Sequence, residues 1–203
     1  MKYGELELDQ IIEATVNKLG GMKGVRCFLS GEFEVKRIDK SNVISIDRST
    51  PFDPSRFIGK GWTIWKGPAD GDGLSGKEDQ DERSLALTEI DLCKIRLETM
   101  LKRREHSIGG EEKIKRLISA GHIRLDARIF ETLWRNQLHI SERFKKETDD
   151  SITHLCFDGT ILRSPASERC VLFFFFHCGW YWRYRGLNLS WYTHAPSLVL
   201  AGN

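Results

Sequence analysis

Hydrophobic residues follow two successive patterns near the C-terminal end of the chain. Val171–Phe176 is apolar at every position, which predicts a central strand buried on both faces. From residue 180 onwards large rings alternate with other side chains, and this period of two predicts a half-buried strand. The rings are Trp180, Trp182 and Tyr184, and the residues between them are Tyr181, Arg183 and Arg185. The strand has two interpretations: a core strand with snorkelling arginines, or a strand that presents Tyr and Arg for binding.

Apolar residues at helical spacing predict amphipathic helices in three other places. The first helix covers residues 6–19 and ends at Gly20-Gly21. The second is Glu111–Ala120, whose acidic residues lie at its positively polarised N-terminal end. Asp126 is expected to cap the third helix, Ala127–Gln137.

Shorter apolar runs and turn residues predict the remaining elements. Leu85–Leu101 fits both periodicities, and a strand up to about Ile95 is favoured. Asp158-Gly159 is expected to form a tight turn between two strands. The other predicted strands are Val25–Leu29, Glu32–Ile38, Val43–Ile46, Thr153–Phe157, Thr160–Leu162 and Pro196–Ala201, with one more around Trp62 and Ile64.

Helices followed by a run of antiparallel hairpins predict an α+β fold. The turn-rich joint Pro51–Pro54 predicts a boundary near residue 50. Residues 1–50 would then form a small N-terminal α/β extension of one helix and short strands, and residues 51–203 the main domain.

Composition and charge exclude several classes of protein. The net charge of +2 provides no general basic field for nucleic acid, and the longest apolar run is too short to span a membrane. The N-terminus lacks the apolar core of a signal peptide, so a cytoplasmic location is the default expectation. The five cysteines form no Cys-x-x-Cys pair, which favours buried free thiols over zinc or redox chemistry.

Candidate catalytic and metal-binding residues form no recognised pattern. Asp70 and Asp72 in the glycine-rich stretch Gly67–Gly76 suggest calcium, but Leu74 stands where an EF-hand needs an oxygen ligand. A long surface loop is therefore the favoured interpretation. No histidine belongs to a local catalytic signature. We therefore expect that the protein is not an enzyme and that it binds no cofactor and no metal.

Several segments resemble a group of proteins from candidate-phyla bacteria with reduced genomes. These segments are Asn17–Met22, Val25–Glu32, Ile123–Ala127, Phe130–Trp134 and Phe157–Arg163. The C-terminal segment, from Trp180 through Leu187 and Trp191 to Ala201, is similar to the hypervariable end of variable proteins from diversity-generating retroelements. In that family a reverse transcriptase copies a template repeat with errors at adenines, and the altered copy replaces the 3′ end of the target gene.

The resemblance implies a C-type-lectin-like fold with a variable ligand-binding face at about 171–201. Trp180, Trp182, Tyr184, Leu187, Trp191 and Pro196 would form the constant scaffold. The implied ligand-binding residues are Tyr181, Arg183, Arg185, Asn188, Leu189, Ser190, Tyr192, Thr193, His194 and Ala195. Changing only the adenines of an Asn codon cannot produce Lys, Glu, Gln, Met or Trp. Each of the ten implied ligand-binding residues, in contrast, is reachable by such changes. Gly186 and Leu198 depart from the family's pattern.

The implied function is ligand binding without catalysis, with a protein or surface molecule as partner and neither nucleic acid nor a membrane span. One alternative is an intracellular regulatory or nucleic-acid-binding module that uses the helices in 111–137. In that case the second of those helices would need an exposed basic face. A small enzyme centred on Asp70, Asp72 and a histidine is the other alternative.

Overall fold

The computed structural model describes residues 21–30, 42–137 and 153–202, together with residues 12, 16, 17, 140 and 144. The chain divides into two compact units, Met1–Lys40 and Ser41–Asn203. The predicted boundary near residue 50 lies later than this division. Val43–Ser45 pairs with Glu89–Asp91, so the segment just after residue 40 belongs to the larger unit.

The first unit contains the helix α1, Met22–Leu29. The predicted strand Val25–Leu29 is therefore wrong, because the backbone N–H of Val25 donates to the carbonyl of Gly21 in a helical bond of 3.1 Å. A short apolar run alone does not distinguish the two structures. Residues 12, 16 and 17 of the predicted helix 6–19 are helical. Its other residues, and the predicted strand Glu32–Ile38, lie outside the described residues.

The second unit mixes short helices with strands. Its helices are α2 (Pro54–Phe57), α3 (Glu82–Leu85), α4 (Gly110–Ser119) and α5 (Ala127–Arg135), with a 3-10 turn at Leu92–Lys94. Its strands are β1 (Val43–Ser45), β2 (Thr63–Ile64), β3 (Glu89–Asp91), β4 (Arg96–Glu98), β5 (Ile108–Gly109), β6 (Ile123–Arg124), β7 (His154–Arg163), β8 (Arg169–His177), β9 (Gly179–Gly186), β10 (Ser190–Trp191) and β11 (Ser197–Leu200). The fold is α+β, with mainly antiparallel strand pairing, as the sequence predicted.

The main sheet has the strand order β4-β11-β7-β8-β9. β7, β8 and β9 are antiparallel neighbours, whereas β11 runs parallel to β7. β2 also pairs with β7, and β6 with β11. The C-terminal strand β11 thus lies inside the sheet, and β9 is the last strand on its side of the described sheet.

The two predicted helices near the middle of the chain are confirmed. The Asp126 carboxylate caps α5 by accepting from the backbone N–H groups of Arg128 and Ile129, at 2.8 and 3.2 Å. The same carboxylate receives two guanidinium nitrogens of Arg48 at 2.9 and 2.8 Å, and the hydroxyl of Ser84 at 2.6 Å. The cap is fully buried and fixes α5 against the segment that precedes β2.

The two faces of the sheet carry separate hydrophobic clusters. Phe130 of α5, Phe157 of β7 and Phe174 of β8 belong to the first. Leu117 of α4, Phe173 of β8 and Trp191 of β10 belong to the second. Val171–Phe174 contributes to both clusters in alternation and is buried throughout, as the uninterrupted apolar run predicted, whereas Phe175 and Phe176 at the end of the run are half-buried.

The predicted turn at Asp158-Gly159 is wrong, because both residues lie within the continuous strand β7. The pairing with β8 shifts register between Phe157 and Leu162, so the ladder is irregular at Asp158-Gly159. A Cβ atom on Gly159 would collide with the backbone of Arg124 and Leu125, so glycine permits the close approach of β6. The pair therefore lies at a shift of strand register and at a close backbone contact, not in a hairpin turn.

The predicted strand from Leu85 to Ile95 is also wrong as a single element. A helix, a strand and a 3-10 turn divide it, and β4 follows. The Asp91 side chain accepts from the Cys93 backbone N–H at 2.9 Å and starts the 3-10 turn. Ile90, Leu92 and Ile95 are all buried, which explains why both periodicities fitted the sequence.

Two findings concern the predicted properties of the whole chain. Cys156 and Cys170 are buried free thiols whose burial raises their pKa to about 12, whereas Cys93 and Cys178 are exposed, contrary to prediction. Among the described residues no helix has the length and apolarity needed to cross a membrane.

Candidate binding face

The hairpin β8–β9 positions the first predicted ligand-binding residues. His177 pairs with Gly179 around Cys178, so the chain reverses direction between β8 and β9. The register sets Phe175 opposite Tyr181, Phe173 opposite Arg183 and Val171 opposite Arg185. Because strand side chains alternate, Tyr181, Arg183 and Arg185 lie on the sheet face that holds the second cluster.

The alternate residues of β9 point to the opposite face. The Trp182 ring lies 5.0 Å from Phe57 and 6.1 Å from Phe130, and the Trp180 ring lies 6.2 Å from Phe174, between centroids. Both tryptophans are half-buried against the first cluster. Tyr184 continues this row and contacts Trp62 at 4.5 Å, but it is 50% exposed. It is thus less buried than the scaffold role predicted.

Buried residues hold the chain after β9 at regular intervals. Leu187, Trp191 and Pro196 are buried, as the scaffold role predicted. The Leu187 backbone N–H donates to the Arg169 carbonyl at 2.8 Å, and Trp191 pairs with Ile108 of β5. Between these anchors Asn188, Leu189 and Ser190 are exposed, and so are Tyr192 and Thr193.

Nine of the ten predicted ligand-binding residues reach the surface and are called the candidate binding face below. Its exposed members are Tyr181, Arg183, Asn188, Leu189, Ser190, Tyr192 and Thr193, and its half-buried members are Arg185 and His194. Ala195 is only 1% exposed, so its predicted outward position is wrong. Its side chain packs in the second cluster, and its carbonyl accepts a hydrogen bond from Lys113 Nζ at 2.9 Å.

A row of rings connects the separate parts of the candidate binding face. Centroid distances are 5.4 Å for Tyr181–Phe175, 6.0 Å for Phe175–His154, 5.3 Å for His154–His194 and 5.7 Å for His194–Tyr192. The backbone N–H of His154 donates to the His194 carbonyl at 2.6 Å, which links β7 to the segment before β11. Ring contacts of this kind limit side-chain freedom and so reduce the entropy lost on binding.

Beside the ring row lies a cleft of about 580 Å³. Its lining includes His154, Glu168, Phe173, Phe175, Arg183, Tyr184, Arg185, Gly186, Asn188 and Leu189. The volume lies in the range of small-ligand pockets. Sequence reasoning missed His154 and Phe175, because only the strand register places β7 and β8 side chains beneath β9.

The histidines of the ring row have lowered pKa values. Burial, followed by charge repulsion from His194, Arg185 and Arg183, lowers the pKa of His154 to about 4. Burial, and then Arg185, also lowers the pKa of His194. Both imidazoles are therefore neutral at pH 7, and the positive charge of the cleft comes from its arginines.

A buried ion pair supports the candidate binding face from below. Lys113 Nζ of α4 lies 3.5 Å from Asp158 Oδ2 in β7, and both side chains are 1% exposed. Asp158 also accepts a hydrogen bond from the Ser197 hydroxyl of β11. Lys113 Nζ lies 4.2 Å above the Trp191 ring. One cation thus joins α4, β7, the Ala195 carbonyl and Trp191.

The other candidate sites from the sequence have structural explanations. In the glycine-rich loop Asp72 Oδ1 accepts the Leu74 backbone N–H at 2.9 Å, and the described residues hold no group of three or more His, Cys, Asp or Glu arranged for a metal ion. On α5 the guanidinium groups of Arg128 and Arg135 both pair with Glu131. The two basic residues of this helix therefore share one carboxylate, and the Arg135 side chain remains 64% exposed.

No family model, curated protein or solved structure matches the chain in sequence or in fold.

Proposed function

We propose that this chain is a non-enzymatic binding protein whose C-terminal face is diversified by a retroelement. One observation carries the proposal: along residues 180–196, side chains that pack against the sheet alternate with side chains that reach solvent. Replacing the second set changes the surface while the first set keeps its packing. The residues that occupy the candidate binding face would then determine which ligand this sequence variant binds.

The residue types on the candidate binding face support a binding role. Tyr and Arg are favoured at binding hot spots, and Asn, Ser and Thr provide adaptable hydrogen bonds. Tyr181 and Tyr192 are each 44% exposed although both are held by ring contacts, and Leu189 is 49% exposed. Exposed apolar groups that form a contiguous patch mark interaction surfaces, and the row of rings connects Tyr181 with Tyr192.

The C-type-lectin-like fold is part of the same proposal. Its support is the α+β architecture, the antiparallel hairpin β8–β9 and the return of β11 into the sheet beside β7. This arrangement holds both ends of the variable segment in the sheet and leaves the connection between them free to vary.

Sequencing the 3′ end of the gene from a population of the source organism tests the diversification. We expect substitutions at adenine positions in codons of the candidate binding face, with the codons of Trp180, Trp182 and Trp191 constant. A near-copy of the same stretch, differing at adenines, should lie beside a reverse transcriptase gene. A genome without that near-copy, or substitutions spread evenly over the constant scaffold and the candidate binding face, would contradict the proposal.

A further inference from the structure

Two arginines of the candidate binding face have no counter-charge among the residues that the structure describes. No carboxylate of the described residues lies within ion-pair distance of Arg183 or Arg185, whereas Arg169 on β8 contacts Asp79 at 2.8 Å and Glu111 at 2.7 Å. From Arg169 to the C-terminus the sequence contains no Asp or Glu. A ligand is therefore free to supply the missing negative charge.

Each of the two guanidinium groups lies against an aromatic ring. The Arg183 guanidinium lies 5.7 Å from the Phe175 ring centroid, and that of Arg185 lies 5.3 Å from the Trp191 centroid. Arg185 Nη2 also donates to the Ser190 carbonyl at 2.6 Å. This bond fixes the side chain across the loop while leaving its charge unneutralised.

The surroundings of the arginines strengthen their field. Phe173 and Phe175 form part of the cleft wall beside the half-buried Arg185, and lower local polarity there makes charge interactions stronger than in bulk water. Glu168 is the one carboxylate among the lining residues given above; it is exposed and forms no ion pair with either arginine. The lowered pKa of His154 has the arginines among its causes, as expected where the potential is positive.

We propose that the cleft receives an Asp or Glu side chain of a protein partner, with Arg183 and Arg185 donating charge-assisted hydrogen bonds to its carboxylate. This inference rests on the proposed binding function and specifies the class of ligand that the candidate binding face of this sequence binds. Tyr181 and Leu189 on either side of the arginines would contact the neighbouring apolar residues of the partner. The partner segment is thus acidic and aromatic or aliphatic.

Charge distinguishes this partner from the other possible occupants. A second copy of the chain on the same face would bring its own Arg183 and Arg185 close to the first pair. Nucleic acid needs a longer basic track, but no lysine follows Glu168 and the chain has a net charge of only +2. An acidic peptide segment requires only the two arginines and the apolar contacts beside them.

The test uses fluorescence anisotropy of labelled peptides with the full chain in about 0.1 M salt, which retains short-range charge contacts. The probes are an alternating Glu-Tyr peptide, the matching Gln-Tyr peptide and a single-stranded oligothymidine. We expect the Glu-Tyr peptide to bind at least about tenfold more tightly than the Gln-Tyr peptide. Arg183→Gln and Arg185→Gln should each weaken its binding about tenfold.

Arg96→Gln is the matched control, because Arg96 is exposed on β4 outside the cleft lining, and it should leave the affinity unchanged. Circular dichroism melting of each variant verifies that the fold is retained. Equal binding of both peptides, no binding at millimolar concentration, tighter oligothymidine binding, or full affinity in both cleft variants would overturn the inference. Each of these results leaves the diversification test by gene sequencing unaffected.

Discussion

Replacing Trp191 with alanine is expected to lower the free energy of unfolding by about 3–5 kcal/mol. The side chain is 1% exposed and packs with Leu187, Ile108 and Leu117 in the second cluster. The Lys113 ammonium also lies over its ring, and the truncation removes that contact together with the buried surface. Urea denaturation measures the change, with an unaltered slope showing that the unfolded state is comparable.

The adjacent residue gives a matched control. Tyr192 is 44% exposed, and its main ring contact is the stack on His194. Tyr192→Ala should therefore cost no more than about 1 kcal/mol. Trp191→Phe, which fills most of the cavity, provides an intermediate value if the alanine variant does not fold. Equal losses of unfolding free energy at the two positions would contradict the division into a constant scaffold and a candidate binding face.

Replacing Lys113 with methionine is expected to lower the free energy of unfolding by about 3–5 kcal/mol, because the Asp158 carboxylate is then buried without its cation. The Ala195 carbonyl loses its donor in the same variant. Lys115→Met, an exposed position on the same helix, should change the stability by no more than about 0.5 kcal/mol.

A double variant separates the charge from the packing. Lys113→Met combined with Asp158→Asn removes the unpaired charge and should recover at least half of the lost stability. If the double variant is as unstable as the sum of the two single variants, the ion pair does not carry the effect.

Much of this structure follows from local sequence patterns. α4, α5 and the Asp126 cap lie close to where apolar spacing and capping residues predicted them, because a helix is determined by contacts a few residues apart. The uninterrupted apolar run of β8 and the alternation in β9 likewise identify both strands. That alternation predicts the opposite directions of Arg183 and Trp182, but it does not predict that Tyr184 is 50% exposed.

Other features depend on pairs of residues far apart in the chain. Asp158-Gly159 resembles a hairpin turn, but both residues lie inside β7, where Gly159 permits the close approach of β6. The family resemblance implies that Ala195 faces the ligand, but its side chain packs in the second cluster and its carbonyl accepts a hydrogen bond from Lys113. His154 becomes part of the ring row only because β7 pairs with β8. No local signal predicts such long-range contacts.

The central claim is that the exposed residues of the candidate binding face are replaceable and determine what the protein binds. A library randomised at Tyr181, Arg183, Asn188, Leu189, Ser190, Tyr192 and Thr193, displayed on yeast and selected against two unrelated folded proteins, tests it most directly. We predict separate binders for each target, with melting temperatures within a few degrees of the parental chain. A library whose members fold but yield no binder, or whose members lose the fold, would contradict the claim.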